Sequence, residues 1–453
     1  MAHHTQIDSS PPVLRGMTGK LDRDAFHKTI NILAAQIPAS KTAVLLRSKV
    51  LKHGILDLSR IQNVLHGPDE TRIILLNYQT EDEIPLDAKQ LLEENSATLI
   101  PRKVELTYDF WKTDDIMAAI LPEDLVDEAP HGYTAIGHIA HLNLRDEYLP
   151  YKHVIGQVIL DKDRRVRTVV NKLDVIQNQF RVFDMELLAG EPDYLVEHSE
   201  SGCKFTFDFR KVYWNSRLHT EHARLIDMFS AEDVIADVFA GVGPFALPAG
   251  KKGCGVLAND LNPESYKYLQ QNIAQNSVQS HVRASCEDGK EFIRAVISRA
   301  LDDPLPPAKP PMSKSQRAKL QKLARQNPTN SETPRASTPE PPSRKHISHF
   351  VMNLPDTAIL FLGAFRGVLS PANAGGRDLS GIYAELPMVH CYCFTRDPEH
   401  AEVDIRERVE KELGHPLGRE VSYHHVRSVA PNKEMFCVSF RLPREVAFAE
   451  TEA

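Results

Sequence analysis

The sequence has little cysteine and no long apolar run. Its six cysteines include no Cys-x-x-Cys pair and no disulfide-rich ladder of the secreted type, so we expect reduced thiols inside a cell. No apolar stretch approaches the roughly 18 residues that a membrane helix needs, and the N-terminus has no hydrophobic signal core. His3-His4 and His424-His425 lack carboxylate or thiolate partners at ligand spacing, so we predict no metal site.

An overall excess of positive charge is also missing. The formal net charge is −7, so any contact with nucleic acid must come from local basic patches. One such patch spans residues 152–181, with seven Lys or Arg against three Asp, a net of +4. It predicts sequence-independent RNA affinity, although a charged strand edge is the alternative. The patch comprises Lys152, Lys162, Arg164, Arg165, Arg167, Lys172 and Arg181.

The sequence does contain apolar strands that end in polar residues. Residues 234–245 run from an apolar strand through Asp237 into a turn in which Gly241 and Gly243 are spaced Gly-x-Gly. The third glycine of the dinucleotide fingerprint is replaced by Ala246, which argues against a pyrophosphate and favours S-adenosylmethionine. A tight strand-helix turn without a ligand is the alternative.

Three more strand ends follow this turn. Asp260 ends the next apolar strand, where doubly wound folds place a ribose-binding carboxylate. Asp288 and Asn353 occupy the third and fourth strand ends. Because ligands in open α/β sheets bind outside the carboxyl ends of the strands, we expect these side chains to share one site.

Composition and patterning divide the chain into domains at residues 1–100, 101–203 and 204–453. Residues 304–345 hold ten prolines and nine Lys or Arg against two Glu, a net of +7, and we expect a disordered insertion within the third domain that is either an RNA contact or a solvated tether. Helices are predicted at 22–36, 87–95 and 404–413, and strands at 41–46, 71–76, 382–386, 389–394 and 435–440, giving six or seven strands in the last domain.

Two clusters carry candidate chemistry. Glu221 lies four residues beyond Arg217, so one helical face could pair them; alternatively, Glu221 is a base that takes a proton from a nucleobase ring. Asn353-Leu354-Pro355 is similar to the Asn-x-Pro loop with which S-adenosylmethionine enzymes methylate amino or ring nitrogens. Its amide and carbonyl groups offer a hydrogen-bonding edge to a planar N–H group, and proline stiffens the loop.

In combination these motifs resemble the eukaryotic and archaeal-type tRNA (guanine(37)-N(1))-methyltransferase family. The resemblance spans roughly residues 100–445 and rests on Phe180-Arg181, residues 214–222, residues 237–245 and Asn353-Leu354-Pro355. It implies an α/β fold: a Rossmann-like class I methyltransferase domain with a mostly parallel doubly wound sheet, preceded by smaller mixed α/β RNA-binding domains. The first of these would inspect the outer body of the tRNA.

The resemblance implies methyl transfer from S-adenosylmethionine to N1 of guanosine 37, which supports reading-frame maintenance. Glu221 would be the general base, Arg181 would stabilise charge developing on O6 as an oxyanion hole does, and Asn353 would hold a base splayed out of its stack. The implied cofactor-binding residues are His222, Asp237, Phe239, Gly241, Gly243, Asp260, Leu261, Asn262, Asp288, Gly289 and Asn353. The implied substrate-binding residues are Arg181, Arg217, Asn353, Pro355, Lys152, Arg164 and Arg165.

The implied partner is a tRNA with G at position 37, without any membrane, and we expect a cytoplasmic monomer with nuclear and mitochondrial matrix pools. Three other functions remain open from the sequence. They are aminocarboxypropyl transfer to a tRNA base, methylation of a protein amide, and RNA binding without catalysis.

Overall fold

The computed structural model describes residues 7–130, 132–173, 180, 184–308 and 344–450. The chain divides into two compact units, Met1–Leu173 with Met185–Asp193, and Asp174–Asp184 with Tyr194–Ala453. In the described ranges, no helix combines the length and the apolar character needed to cross a membrane.

The first unit begins with an antiparallel sheet. Its strands are β1 (Lys28–Pro38), β2 (Val64–His66), β3 (Thr71–Leu75) and β4 (Thr98–Leu106), in the order β2-β3-β1-β4, with helices α1 (Thr42–Arg47) and α2 (Leu86–Glu94). The predicted helix at 22–36 is wrong because β1 pairs with β3 and β4 and is buried on both faces, which hides the alternation of a half-buried strand. The predicted strand at 41–46 is also wrong, since that segment forms α1 and buries only Leu45.

A second sheet completes this unit. It contains β5 (Thr134–Ile136), β6 (Ile139–Leu142), β7 (Thr168–Lys172) and β8 (Met185–Gly190) in that order, with helices α3 (Thr113–Ile120), α4 (Glu123–Val126) and α5 (Lys152–Lys162). Strands β6 and β7 are parallel, and α5 lies in the crossover between them. One hydrophobic core includes Ile30 of β1, Leu106 of β4 and Val169 of β7. The predicted boundary at residue 100 therefore falls inside β4 and inside a continuous core.

The second unit contains a hairpin and a seven-stranded sheet. The hairpin is β9 (Leu195–Glu200) with β10 (Cys203–Asp208). The sheet has the order β13-β12-β11-β14-β15-β17-β16. Its strands are β11 (Val234–Asp237), β12 (Gly255–Asn259), β13 (Val282–Ser285), β14 (His349–Met352), β15 (Met388–Thr395), β16 (Val421–Ala430) and β17 (Lys433–Arg441). The helices are α6 (His219–Asp227), α7 (Ala246–Lys252), α8 (Pro263–Gln275), α9 (Gly289–Asp302), α10 (Ala401–Leu413) and α11 (Arg444–Ala447).

The pairing of this sheet confirms the predicted class of fold. Strands β13, β12, β11, β14 and β15 are parallel, and β17 adds an antiparallel edge that continues to β16. The strand order reverses at β11, so the crevice beyond its carboxyl end is the switch point at which such sheets bind ligands. The predicted strand at 382–386 is wrong: that segment is irregular, and Tyr383 is buried there as a single anchor whose hydroxyl accepts the Ile347 N–H at 3.1 Å.

Two residues on either side of positions 309–343 pair with each other. Leu305 and Arg344 pair in a two-residue bridge, with N–H to O distances of 3.2 and 3.0 Å. The Arg344 side chain also donates to the carbonyls of Pro306, Ala231 and Gly253. Most of the predicted disordered insertion, residues 309–343, lies outside the described residues.

Candidate cofactor and substrate site

A cavity of about 720 Å³ opens at the switch point, a volume within the usual range for small-molecule sites. Asn353, Leu354 and Pro355 line it from the end of β14. Of the predicted cofactor-binding residues, nine line the cavity: His222, Phe239, Gly241, Asp260, Leu261, Asn262, Asp288, Gly289 and Asn353. Asp237 and Gly243 do not line the cavity. Asp237 ends β11 just before the glycine turn, and Gly243 lies within the turn.

At the glycine turn, main-chain atoms without a covering side chain line the cavity. Gly241 has φ +55°, and a Cβ atom there would meet nothing within 4 Å. A ligand can therefore approach the main chain closely at this position. Gly243 has φ +100°, and its Cβ would lie 2.8 Å from Leu247 Cγ and 2.9 Å from Leu269 Cδ1. Glycine at 241 thus leaves room for a ligand, whereas glycine at 243 allows the turn to pack against α7 and α8.

Asp260 is fixed by backbone groups at the tip of β12. Its Oδ2 accepts the Gly241 N–H at 2.8 Å, and its Oδ1 accepts the Asn262 N–H at 2.9 Å. Burial raises the pKa of this carboxyl, while the two N–H donors act in the opposite direction. Carboxylate oxygens accept more than one hydrogen bond each, so ribose hydroxyls can donate to Asp260 from the cavity.

Two aromatic rings line the cavity beside the start of α9. Asp288 caps this helix by accepting the Lys290 N–H at 2.8 Å. A Cβ on Gly289 would lie 2.9 Å from Phe239 Cε1 and 3.1 Å from Phe361 Cε1, and these two rings meet edge to face with centroids 4.9 Å apart. Aromatic rings next to a capping carboxylate suit a planar heterocycle such as adenine. The glycine turn, Asp260 and these two rings together fit S-adenosylmethionine.

The Asn353-Leu354-Pro355 loop is held rigidly on the other side of β11. The Leu354 carbonyl accepts the N–H groups of Thr357 and Ala358 at 2.9 and 2.7 Å. The Pro355 carbonyl accepts the Phe394 N–H at 3.1 Å, which ties the loop to β15. The loop thus presents Asn353 to the cavity from a fixed backbone.

Glu221 is buried behind the cavity rather than in its lining. Its side chain is 4% exposed, and the Arg224 guanidinium donates a hydrogen bond of 2.7 Å to each carboxylate oxygen. The Tyr392 hydroxyl donates to Oε1 at 2.7 Å, and His424 Nε2 lies 3.2 Å from Oε2. The alternative pairing with Arg217 is wrong, because Arg217 precedes the first residue of α6 and lies in the 3-10 turn Ser216–Leu218.

Asp237 is an acid beneath the turn, near Asp260. It is fully buried, and neither of its carboxylate oxygens has a hydrogen-bond partner among the described residues. Burial, with a smaller contribution from nearby Asp260, raises the pKa of Asp237 to about 8. Its surroundings therefore favour the neutral, protonated carboxyl.

The predicted RNA-contacting residues are placed as follows. Arg181 lies outside the described residues, and Arg217 is exposed but absent from the cavity lining. In the basic patch, Lys152 Nζ lies 2.6 Å from Glu186 Oε1 and Arg165 Nη2 lies 2.8 Å from Asp163 Oδ2. RNA binding by this patch, including its exposed Arg164, stays a prediction.

Sequence reasoning missed several residues of the cavity wall. Phe361 comes from an apolar 3-10 segment, Ala358–Phe365, whose sequence is indistinguishable from core. Phe394 and Asp356 also line the cavity. Asp356 could have been predicted from the sequence, because it directly follows the Asn-x-Pro motif.

Comparison with known proteins agrees with this geometry. Residues 113–193 match the TYW2 N-terminal domain, and residues 196–301 match the TRM5/TYW2 methyltransferase domain. A tRNA (guanine(37)-N(1))-methyltransferase of Coprinopsis cinerea is 53% identical over 99% of both chains. The enzyme of the same name from Schizosaccharomyces pombe is 44% identical over 99% of this chain and 98% of its own.

Solved structures share the fold. Trm5b from Pyrococcus abyssi is 22% identical, with a TM-score of 0.54 over 90% of this chain and 99% of that chain. The aTrm5 chain solved with tRNALeu is 20% identical, with a TM-score of 0.58 over 91% of this chain and 100% of that one. The predicted fold class, the predicted enzyme class and S-adenosylmethionine as cofactor are confirmed at the level of the family. The chain belongs to the TRM5/TYW2 family, among the tRNA (guanine(37)-N(1))-methyltransferases.

Proposed function

We propose that this chain transfers the methyl group of S-adenosylmethionine to N1 of guanosine 37 in tRNA. The observation that carries the proposal is the cavity in which the glycine turn, Asp260 and Asn353 meet. One side of this cavity suits an adenosine, and the other offers an amide to a ring N–H group. Relatives that bear the name of this activity are 42 to 53% identical over nearly the whole chain.

The reaction needs a proton acceptor as well as a methyl donor. Guanine N1 carries a hydrogen at neutral pH, so its proton must leave as the N1–CH₃ bond forms and the sulfonium C–S bond breaks. We propose that Glu221 accepts this proton, that Arg181 stabilises the negative charge developing on O6, and that Asn353 orients the base. Because Arg224 and Tyr392 occupy the Glu221 carboxylate, these contacts must rearrange before Glu221 reaches a base in the cavity.

Methylation of matched tRNA transcripts tests this function. A transcript with G37 should gain the mass of one methyl group on guanosine, and an otherwise identical A37 transcript should gain nothing. Gain of an aminocarboxypropyl group would overturn the assignment in favour of the other transfer reaction. Equal methylation of both transcripts would contradict recognition of guanosine 37.

The biological setting is proposed from the family resemblance. We propose a monomer that acts on tRNA in the cytoplasm, with nuclear and mitochondrial matrix pools, and that supports maintenance of the reading frame. Imaging of the tagged full chain tests the localisation, frameshift reporters in a deletion strain test the reading-frame role, and sedimentation of the purified protein tests the monomer.

A further inference from the structure

A buried carboxylate-histidine pair lies directly behind the cavity wall. Glu200, the last residue of β9, places Oε1 2.6 Å from Nδ1 of His222 in α6. The two side chains are 8% and 4% exposed. His222 lines the cavity, whereas Glu200 does not.

Glu200 carries a charge despite its burial. Burial raises its pKa, but hydrogen bonding and the charges of His198 and His222 outweigh this and lower the pKa to about 2. His198 Nε2 lies 3.6 Å from Oε2, the longer of the two contacts that Glu200 makes with a histidine. Both histidines compensate for burying this carboxylate, and His222 makes the shorter contact.

The imidazole of His222 is fixed from three sides. Phe245 contacts it edge to face with ring centroids 4.8 Å apart, and Trp214 does so at 6.5 Å. The ionised Glu200 carboxylate accepts a hydrogen bond, so Nδ1 of His222 is the donor. This leaves Nε2, an acceptor in the neutral tautomer, as the ring atom available to a ligand in the cavity.

The position of His222 indicates which part of the cofactor it meets. Asp260 and Asp288 follow β12 and β13, on one side of β11, and form the adenosine side of the cavity. His222 comes from α6 and packs against Phe245, which follows the glycine turn after β11. A cofactor whose adenosine lies near Asp288 must therefore extend its amino-acid end towards His222.

We propose that Glu200 is a positioning residue that orients His222 so that Nε2 accepts a hydrogen bond from the α-ammonium group of S-adenosylmethionine. The inference rests on the cofactor of the proposed function but adds a residue outside the cavity. Its chemistry is that of a histidine whose second nitrogen is held by a carboxylate, which fixes the ring orientation and the tautomer.

Calorimetric titration with two ligands tests the pair. S-adenosylhomocysteine carries the α-ammonium group, whereas 5′-methylthioadenosine has the same nucleoside without the amino-acid end. For Glu200→Gln we expect S-adenosylhomocysteine affinity to fall about tenfold, as for a lost charge-assisted hydrogen bond, and methylthioadenosine affinity to stay unchanged. Glu197→Gln, an exposed position three residues earlier on β9, is the matched control and should alter neither.

A second variant guards against misfolding of the first. His222→Asn keeps a donor for Glu200 but removes Nε2, so it should show the same ligand-selective loss, and Glu200→Gln should add nothing in that background. Equal weakening of both ligands, or of neither, would overturn the proposal and leave Glu200 a purely structural residue. Since these titrations contain no tRNA, failure to methylate G37 transcripts would sink the proposed function without affecting this result.

Discussion

At the scale of single residues, the contacts of Glu221 indicate a role in catalysis and not in cofactor binding. The carboxylate is absent from the cavity lining and is held by Arg224 and Tyr392. A residue in this position contributes to chemistry only when it changes partners, so its loss should affect turnover rather than affinity.

Glu221→Gln should therefore reduce methyl transfer to G37 tRNA at least 10²-fold, the usual contribution of a general base, with unchanged affinity for S-adenosylhomocysteine. Glutamine keeps the shape of the side chain and can still accept a hydrogen bond from Tyr392. Single-turnover kinetics and calorimetry measure the two effects. As a control, Glu407→Gln on the exposed side of α10 should leave both unchanged. Normal turnover by Glu221→Gln would eliminate Glu221 as the base.

At the scale of elements, the two glycines of the turn after β11 have different purposes. Gly241→Ala should weaken S-adenosylhomocysteine binding and cost only about 1 kcal/mol of unfolding free energy, since φ +55° lies in the left-handed region. Gly243→Ala should cost several times as much, because φ +100° is strained and the new Cβ approaches Leu247 and Leu269 within 3 Å. Urea unfolding and calorimetry measure both variants, and equal stability losses would contradict the distinction.

The elements also show what the sequence could predict. The glycine turn, Asp260, Asp288 and the Asn353 loop were predictable because each follows an apolar strand within a few residues. Strand β1 was not, because its pairing with β3 and β4 buries Leu33, Ala34 and Ala35 in succession.

Parts of the candidate site were also beyond prediction. Glu200 reaches His222 from a separate hairpin, and the partners of Glu221 include Tyr392, 171 positions away. No local pattern encodes such contacts, because they arise only when distant segments pack together.

At the scale of the whole molecule, a buried histidine in the sheet makes stability depend on pH. His390 of β15 is fully buried, its Nδ1 lies 2.8 Å from Ser439 Oγ and its Nε2 lies 3.1 Å from His349 Nδ1. Burial, with smaller contributions from His349 and Arg224, lowers the pKa of His390 to about 3. The acidic side chain of Asp233 also lies near this pair of histidines, 3.4 Å from His349 Nε2.

The unfolded chain therefore binds more protons than the folded one between pH 6.5 and about 3. The stability associated with His390 is fully present above pH 6.5 and is lost as pH falls towards 3, by at most about 1.4 kcal/mol per pH unit. In urea titrations, His390→Gln should lower stability at neutral pH but flatten its decline below pH 6. His400→Gln, at an exposed site, should keep the wild-type slope, and an unchanged slope in His390→Gln would refute the assignment.

The order of strands also has a consequence for synthesis on the ribosome. Strand β14 lies between β11 and β15 in the sheet, yet it is translated only after β13 and the whole proline-rich segment. Until then the nascent chain carries a three-stranded half sheet whose β11 edge has no neighbour, a surface prone to wrong pairing. Because the hydrophilic segment is translated before β14, it lengthens the time for which the edge of β11 is exposed. We expect the nascent chain to depend on a chaperone during this time.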